Sequence, residues 1–230
     1  MSHFIKRGKI SVQIKSKQRI ADHGEVFTNE REVKAMLDLV KHETERIDSR
    51  FLEPACGNGN FLAEILTRKL SVVASRYKHN PADYERYAVI ALTSIYGVEI
   101  LADNAAECRE RLFLIWKEAY QKNCKTEANE ETLKAVEFIL EKNILCGDAL
   151  SLEKADGTPI IFAEWSAVNG NLLKRRDFEL SHMLHAEEKD LQFDLFGESG
   201  HYEKDASGAT ILLPIKEFPP IHYRRVFEHA

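Results

Sequence analysis

The sequence has few cysteines, no long apolar run and no internal repeat. None of its four cysteines forms a Cys-x-x-Cys pair, which favours free thiols in a reducing cytoplasm over a disulfide framework or a zinc site. No run of about 18 apolar residues is present, so no transmembrane helix is predicted. The basic N-terminus is not followed by the apolar stretch of a secretion signal. We therefore expect a cytoplasmic protein without a membrane segment or a bound metal.

An overall basic charge is also missing. The chain has 32 basic and 37 acidic residues, which argues against a protein that covers nucleic acid with its whole surface. Basic residues are nevertheless clustered, because residues 1–21 carry six of them and no acidic residue. A second cluster is Lys174, Arg175 and Arg176. Each cluster is interpreted either as a solvated face or as a contact with phosphates.

Helical and strand-like patterns alternate over the first two-thirds of the chain. Asn29, followed by acidic and then helically spaced apolar residues, predicts a helix over about 29–46. The predicted strands lie in RFLE, SIYGVEI, NILC and TPIIFAEWS, with helical patterns between them. This alternation predicts an α/β fold, with a doubly wound and mostly parallel sheet that has helices on both faces.

The pattern weakens beyond Asn169, where several glycines occur among few apolar residues. We expect a basic N-terminal arm over 1–22, the sheet domain over 23–168, and an irregular C-terminal extension over 169–230. The extension is expected to pack on the same domain, because the chain is short enough to share one core.

The segment EPACGNGN (53–60) is predicted to join a strand to a helix. Ligands of doubly wound folds bind outside the carboxyl ends of strands, where such turns lie. Glycines let the backbone approach a ligand, and a helix N-terminus offers N–H groups to an anion. The alternative is a tight turn that binds nothing, since a lone Gly-x-Gly is weak evidence.

Two carboxylates follow the next two predicted strands. Glu99 ends SIYGVE, where a carboxylate can accept both hydroxyls of a ribose. Asp148 comes just after NILC, where it can accept a hydrogen bond from an adenine amino group. Each acid alone is more often a surface residue, but the three positions in order predict a nucleoside site at one edge of the sheet.

These motifs resemble those of the S-adenosylmethionine-dependent adenine-specific DNA methyltransferases in their γ arrangement. FLEPACGNGNFL is similar to the cofactor-binding motif of that family, and HGEVFTNEREVKAMLDLV is similar to the segment that precedes it. GVEI and GDAL resemble the ribose-binding and adenine-binding positions. The resemblance covers about residues 22–150 and implies a Rossmann-like fold with S-adenosylmethionine as cofactor.

The resemblance also implies roles at the methionine end of the cofactor. Phe27 and Thr28 would line the methionine pocket. Glu53, with the backbone around Ala55 and Gly57, would hold the amino-acid part.

At the nucleoside end, the implied roles fall on three residues. Glu99 would bind the ribose hydroxyls, Ile100 would pack on the adenine face, and Asp148 would bind the adenine amino group.

The catalytic Asn-Pro-Pro-Tyr motif of the family is not found. Ala-Glu-Trp-Ser (163–166) stands at the expected place, so Glu164 is a candidate hydrogen-bond acceptor and Trp165 a candidate to stack on a flipped base. The alternative is that Trp165 packs at a strand end and Glu164 lies on the surface. The later segment 218–221 has two prolines but no asparagine and is predicted to be extended before a short terminal helix.

The resemblance implies an enzyme that methylates the adenine amino group of DNA in a restriction–modification or defence setting. A different class is a non-catalytic cofactor-binding subunit, docked on a partner that supplies specificity or catalysis. The missing motif and the lack of room for a separate target-recognition domain keep this second hypothesis open. Methylation of RNA or protein on the same fold is a third possibility.

Overall fold

The computed structural model describes residues 18–19, 26, 28–126, 128–183, 202–204 and 210–230. Three short strands form a parallel sheet in the order β1-β2-β3. They are β1 (Phe51–Glu53), β2 (Ile95–Glu99) and β3 (Ile144–Cys146). Each lies within a segment predicted as a strand, and the parallel pairing brings their carboxyl ends to one edge. The basic arm predicted over 1–22 lies outside the described residues, apart from Gln18 and Arg19.

Helices connect and cover these strands. They are α1 (Glu30–Asp38), α2 (Lys41–Thr44), α3 (Asn60–Tyr77), α4 (Pro81–Thr93), α5 (Ala102–Cys124) and α6 (Glu130–Asn143). Asn29, Asn80 and Asn129 cap α1, α4 and α6 by accepting hydrogen bonds from first-turn N–H groups. The helix predicted over about 29–46 is therefore two helices, α1 and α2. None of the described helices combines the length and apolar character that crossing a membrane requires.

Helix α3 packs closely on β2 because the strand carries a glycine there. A Cβ atom at Gly97 would stand 2.8 Å from the Cys56 Sγ atom and 3.0 Å from Leu62 Cδ1. Leu62 and Val98 are fully buried at this contact. The core thus extends directly under the turn at 54–59, and it holds α3, which follows the turn, against the neighbouring strand β2.

A second, antiparallel sheet follows the parallel one. Strands β4 (Ile161–Ala167) and β5 (Leu172–Glu179) form a hairpin, and β8 (Lys216–Glu217) and β9 (Ile221–His222) pair along β5. Strands β6 (Tyr202–Lys204) and β7 (Thr210–Leu212) form a separate pair. The prediction that TPIIFAEWS continues the parallel sheet is wrong, and the extension predicted as irregular contains strands. Gly170, at φ +65°, reverses the chain after β4, so the next strand returns antiparallel.

The chain ends in a 3₁₀ helix, Tyr223–His229, that is tied to a buried carboxylate on α4. Glu85 is 2% exposed and accepts hydrogen bonds from the Tyr223 hydroxyl (2.8 Å), Arg224 Nε (2.7 Å) and the Thr132 hydroxyl on α6 (3.0 Å). The short terminal helix predicted after the two prolines is confirmed in its 3₁₀ form. These three donors satisfy a charge that is otherwise expensive to bury.

A buried lysine links the segments that precede the first two strands of the parallel sheet. Lys69 on α3 is fully buried, and its ammonium donates to the carbonyl groups of Ile47 and Ser49 and to the Ser94 hydroxyl. No carboxylate is among these hydrogen-bond partners, and burial lowers the pKa of Lys69 to about 7. The lysine thus joins the loop before β1 to the residue before β2.

We expect this lysine to make the free energy of unfolding rise by about 2 kcal/mol between pH 7 and pH 9. Below pH 7 Lys69 is protonated in both states, so its contribution is constant. Between pH 7 and about pH 10 the unfolded chain retains a proton that the folded protein has lost, so stability increases with pH. Urea unfolding at the two pH values measures the rise.

Lys69→Met should remove most of this rise, whatever it does to stability at pH 7. Lys134→Met, at an exposed position on α6, is the matched control and should keep it. An equal pH dependence in the unaltered protein and in Lys69→Met would contradict the assignment.

Candidate functional site

A cavity of about 240 Å³ opens at the carboxyl ends of β1 and β2. The turn at 54–59 and the first residues of α3 form one wall, and residues 99–104 form another. The sequence-predicted site residues that line it are Thr28, Glu53, Ala55, Gly57, Glu99 and Ile100. The structure therefore brings six of the eight predicted cofactor residues to one cavity.

Glu99 connects the two walls of the cavity. Its side chain is buried, with one oxygen accepting the Gly57 N–H (2.8 Å) and the other accepting the Leu101 N–H (3.0 Å). The Asn104 side-chain amide lies 3.4 Å from the second oxygen. A carboxylate has about four acceptor positions, so these contacts leave capacity for a ligand hydroxyl. Glu99 is thus placed both to fix the glycine turn and to contact a ligand.

The turn reaches its shape through two glycines in the left-handed region. Gly57 has φ +53° and Gly59 has φ +83°. Gly59 is the N-cap residue of α3 and offers no side-chain oxygen to the first turn. The N–H groups of that turn have no intrahelical acceptors, and the helix dipole makes this end favourable for an anion. The first turn of α3 thus offers N–H groups and a favourable dipole to an anion beside Asn60 and Phe61, which line the cavity.

Two acidic side chains place negative charge in the cavity wall. Glu53 is half-buried at the end of β1, and burial raises the pKa of its carboxyl group above the ordinary value. Glu99 is the second carboxylate in the wall, and none of the described residues that line the cavity is basic. A helix N-terminus beside two carboxylates matches a ligand that carries both an anionic and a cationic group.

Cys56 lines the cavity as a small, inert side chain. The neighbouring Cys108 thiol and burial together raise the pKa of Cys56 above its ordinary value. A thiol with a raised pKa is a poor nucleophile. Cys56 is therefore placed as a small side chain in a tight turn.

The segment before α1 reaches the cavity through Thr28. The Thr28 carbonyl accepts a hydrogen bond from Asn60 Nδ2 (2.9 Å), and Arg111 on α5 donates to Asn60 Oδ1 (2.6 Å). This contact places the segment predicted to lie at the methionine end next to the turn. Phe27, the other residue predicted there, lies outside the described residues.

Asp148 lies just after β3 and is not part of the cavity wall. Its Oδ1 atom accepts the Leu150 N–H (2.8 Å), and the adjoining Gly147 N–H donates to the Glu99 carbonyl (3.0 Å). The loop of Asp148 is therefore attached to the end of β2. A ligand longer than the cavity would have to extend past Ile100 to reach this carboxylate.

Trp165 lies near the opposite edge of the parallel sheet. Its indole N–H donates to Asn143 Oδ1 (2.9 Å), and Asn143 directly precedes β3. The Asn143 amide in turn donates to the carbonyl groups of Thr93 and Ile95, at the start of β2. Trp165 is 6% exposed, so its ring faces contact protein and not solvent. This placement favours strand-end packing over the predicted stacking on a base.

Glu164 is committed to ion pairs at the same edge. Arg50, directly before β1, contacts one carboxylate oxygen, and Arg176 lies 3.0 Å from the other. The Ser166 hydroxyl adds a hydrogen bond of 2.9 Å. Because the cavity opens at the carboxyl ends of the strands, the geometry argues against the predicted role of Glu164 as an acceptor for the target base. The alternative of a surface position also fails, because Glu164 is 8% exposed.

The basic cluster on β5 does not present three cations to a phosphate backbone. Arg175 is 6% exposed, forms a two-point ion pair with Asp177, and donates to the His229 carbonyl (2.7 Å). Arg176 pairs with Glu164, and Lys174 pairs with Glu217 at 2.7 Å. This geometry argues against a phosphate contact for Arg175, because its guanidinium group is enclosed by protein.

Sequence reasoning missed the asparagines of the site. Asn58, Asn60 and Asn104 all line the cavity, although none of them was among the predicted cofactor-binding residues. The signal was present for two of them, since Asn58 and Asn60 flank Gly59 in the turn. Asn104 gave no such signal, because it lies within a helical pattern.

A comparison with protein families gives a match to the family described as MmeI, DNA-methyltransferase domain, over residues 24–167. The match covers more than half of the chain and includes every residue described above as lining the cavity. Curated proteins and solved structures gave no match.

Proposed function

The chain belongs to the family of MmeI DNA-methyltransferase domains, and from this we propose that it binds S-adenosylmethionine for methylation of the adenine amino group of DNA. The observation that carries the proposal is the cavity in which Glu53, Glu99 and the N-terminus of α3 converge. We also propose that the parallel sheet is the core of a Rossmann-like fold over 23–168. Its three strands pair in parallel, and the cavity lies at their carboxyl ends, where such folds bind ligands.

The cavity fits the cofactor by charge. The first turn of α3 suits the methionine carboxylate, and Glu53 suits the ammonium. Glu99 would accept a ribose hydroxyl without giving up its bonds to Gly57 and Leu101. When bound, S-adenosylmethionine supplies an electrophilic methyl group on its sulfonium.

Beyond the cavity, Ile100 and Asp148 would contact the adenine. Ile100 is 55% exposed at the rim, which leaves its side chain open to pack on a ring. Asp148 keeps one oxygen outside its bond to Leu150, and that oxygen would receive the adenine amino group. These roles require the bound nucleoside to extend out of the cavity and across the end of β2.

A second candidate function is a cofactor-binding subunit whose partner contacts the target base. The positions of Glu164 and Trp165 favour it, since both are engaged at the amino ends of the strands. The sequence also lacks the Asn-Pro-Pro-Tyr motif. In this proposal the chain orients the cofactor, and the groups that hold the flipped adenine come from another polypeptide.

Calorimetry with S-adenosylhomocysteine, followed by transfer of tritiated methyl groups to DNA, tests both candidates. Saturable binding with transfer by the chain alone would support the enzyme. Binding without transfer to DNA, RNA or protein would support the subunit. If the folded protein gives no binding heat at any temperature tried, and no protection of the cavity from hydrogen exchange, both proposals fail.

A further inference from the structure

The outer edge of the parallel sheet is open at β1. This strand pairs with β2 on one side, and no strand among the described residues pairs with its other side. The Phe51 N–H donates to the Ser94 carbonyl (2.9 Å), so Phe51 and Glu53 direct their backbone groups toward β2. The N–H and carbonyl groups of Leu52 therefore point outward, and within the described part of the chain no hydrogen bond reaches them.

An apolar cavity of about 140 Å³ lies beside this edge. Leu52 and Tyr96 are paired in register, so their side chains share one face of the sheet, and both line the cavity. The opposite wall comes from the β4–β5 hairpin and the residues after it, namely Phe162, Phe178 and Met183. Leu52 is 45% exposed, although parallel sheets are normally covered on both faces. Unpaired backbone groups next to an apolar pocket are what an added strand needs, because the backbone bonds give affinity and the pocket receives a side chain.

The rim of this cavity carries more positive than negative charge. Arg50 and Arg176 both contact the single carboxylate of Glu164. The Arg50 side chain is 57% exposed and that of Arg176 is 37% exposed, so both guanidinium groups have N–H donors that a second carboxylate could reach. A second copy of this chain, paired through its own β1, would bring another positive rim to the same edge, which is unfavourable. The charge thus favours a different polypeptide, with an acidic residue beside an apolar one.

We infer that the outer edge of β1 is the docking site of a partner polypeptide, which adds an extended segment carrying an apolar side chain and a carboxylate. The inference rests on the second candidate function and names the place where that partner attaches. Neighbouring strands lie about 4.8 Å apart, so a segment paired along Leu52 and Glu53 would end beside the larger cavity, whose wall includes Glu53. The partner's next residues would then lie where groups that hold a target base are needed.

A blocked synthetic heptapeptide, Glu-Val-Thr-Leu-Thr-Val-Glu, is the probe for this edge. Titrated into isotope-labelled protein, it should shift the amide signals of Leu52 and Phe162 with a dissociation constant of about 1 mM or below. Its leucine methyl groups should show nuclear Overhauser effects to the ring protons of Phe162 or Phe178. The same peptide with every backbone nitrogen methylated has the same side chains but no backbone donors, so it should bind about tenfold more weakly or worse.

Two variants of the protein separate the edge from the pocket. Leu52→Lys adds a cation at the mouth of the cavity and should remove peptide binding. Ala163→Leu, on β4, narrows the cavity without touching the backbone of β1 and should weaken binding. Leu150→Lys is the matched control, because Leu150 is 95% exposed in the loop after β3, and it should bind the peptide as the unaltered protein does.

Four results would overturn the inference. They are no binding at millimolar peptide, equal binding of the methylated peptide, Overhauser effects that place the chain's own residues on this edge, and self-association of the protein that Leu52→Lys abolishes. The last result would assign the edge to a second copy. The titration contains no cofactor, so its failure concerns the docking site alone, whereas a failure to bind S-adenosylhomocysteine refutes the proposed function.

Discussion

Glu99→Ala is expected to weaken S-adenosylhomocysteine binding about 100-fold or more. The substitution removes a carboxylate contact to the ribose, and each hydrogen bond to a charged group is worth about 1.5–3 kcal/mol. It also removes the acceptor of the Gly57 and Leu101 N–H groups, so the turn loses the bond that fixes it beside residues 99–104. The two effects act on the same ligand, which is why a single change has so large a result. Calorimetry on the purified variant measures it.

Glu110→Ala is the control for this prediction, because it removes an exposed carboxylate from the same segment of chain. Circular dichroism and urea unfolding establish that both variants are folded. A folded Glu99→Ala protein with unchanged affinity would show that the cavity does not bind the nucleoside.

Asp148→Ala, outside the cavity, should weaken S-adenosylhomocysteine binding about tenfold if the Asp148 carboxylate receives the adenine amino group. The same calorimetry measures this loss.

Gly59→Ala is expected to lower the free energy of unfolding by about 2–5 kcal/mol. The new Cβ atom would lie 2.6 Å from the Cys108 Sγ atom, a fully buried thiol on α5. Overpacking of this kind costs about 1–3 kcal/mol. The residue also sits at φ +83°, where an L side chain costs about 1–2 kcal/mol. Urea unfolding at pH 7 measures the sum.

Gly157→Ala separates the two contributions. Gly157 has φ +75°, but a Cβ atom there would meet nothing within 4 Å. This control should therefore show only the backbone cost of about 1–2 kcal/mol. Equal losses for Gly59→Ala and Gly157→Ala would mean that α5 yields to the added methyl group and that the turn is less tightly packed than described.

The carboxyl edge of the sheet was predictable because local signals coincide there. An Asn-Pro pair is a typical signal for the start of a helix, and α4 begins at Pro81 with Asn80 as its cap. EPACGNGN marked the turn, and the helix that follows it begins at Asn60, as predicted. Glu99 is the last of the five buried residues of β2, so its place at a strand end could be read from the run of apolar residues before it.

The second sheet was not predictable from the same signals. Strand β4 is apolar along most of its length, which is typical of a buried parallel strand as well as of an antiparallel one. The Asn-Gly pair at 169–170 is a hairpin signal, which indicates an antiparallel strand after β4. The alternation of helical and strand-like segments before it led instead to the prediction of a parallel strand. Burial of Arg175 was also hidden, because its partners Asp177 and the His229 carbonyl become neighbours only after the hairpin and the terminal helix have formed.

The hydrogen bonds between Glu85 and the terminal 3₁₀ helix raise the free-energy cost of unfolding that helix locally. Final turns of proteins commonly fray at almost no free-energy cost. Here, separating Tyr223 and Arg224 from α4 would remove two hydrogen-bond donors, one of them cationic, from a carboxylate that is 2% exposed and that keeps Thr132 and Tyr120 as partners. Fraying of the last residues is therefore coupled to disruption of the interior, and their amide protons should exchange almost as slowly as those of α4 itself.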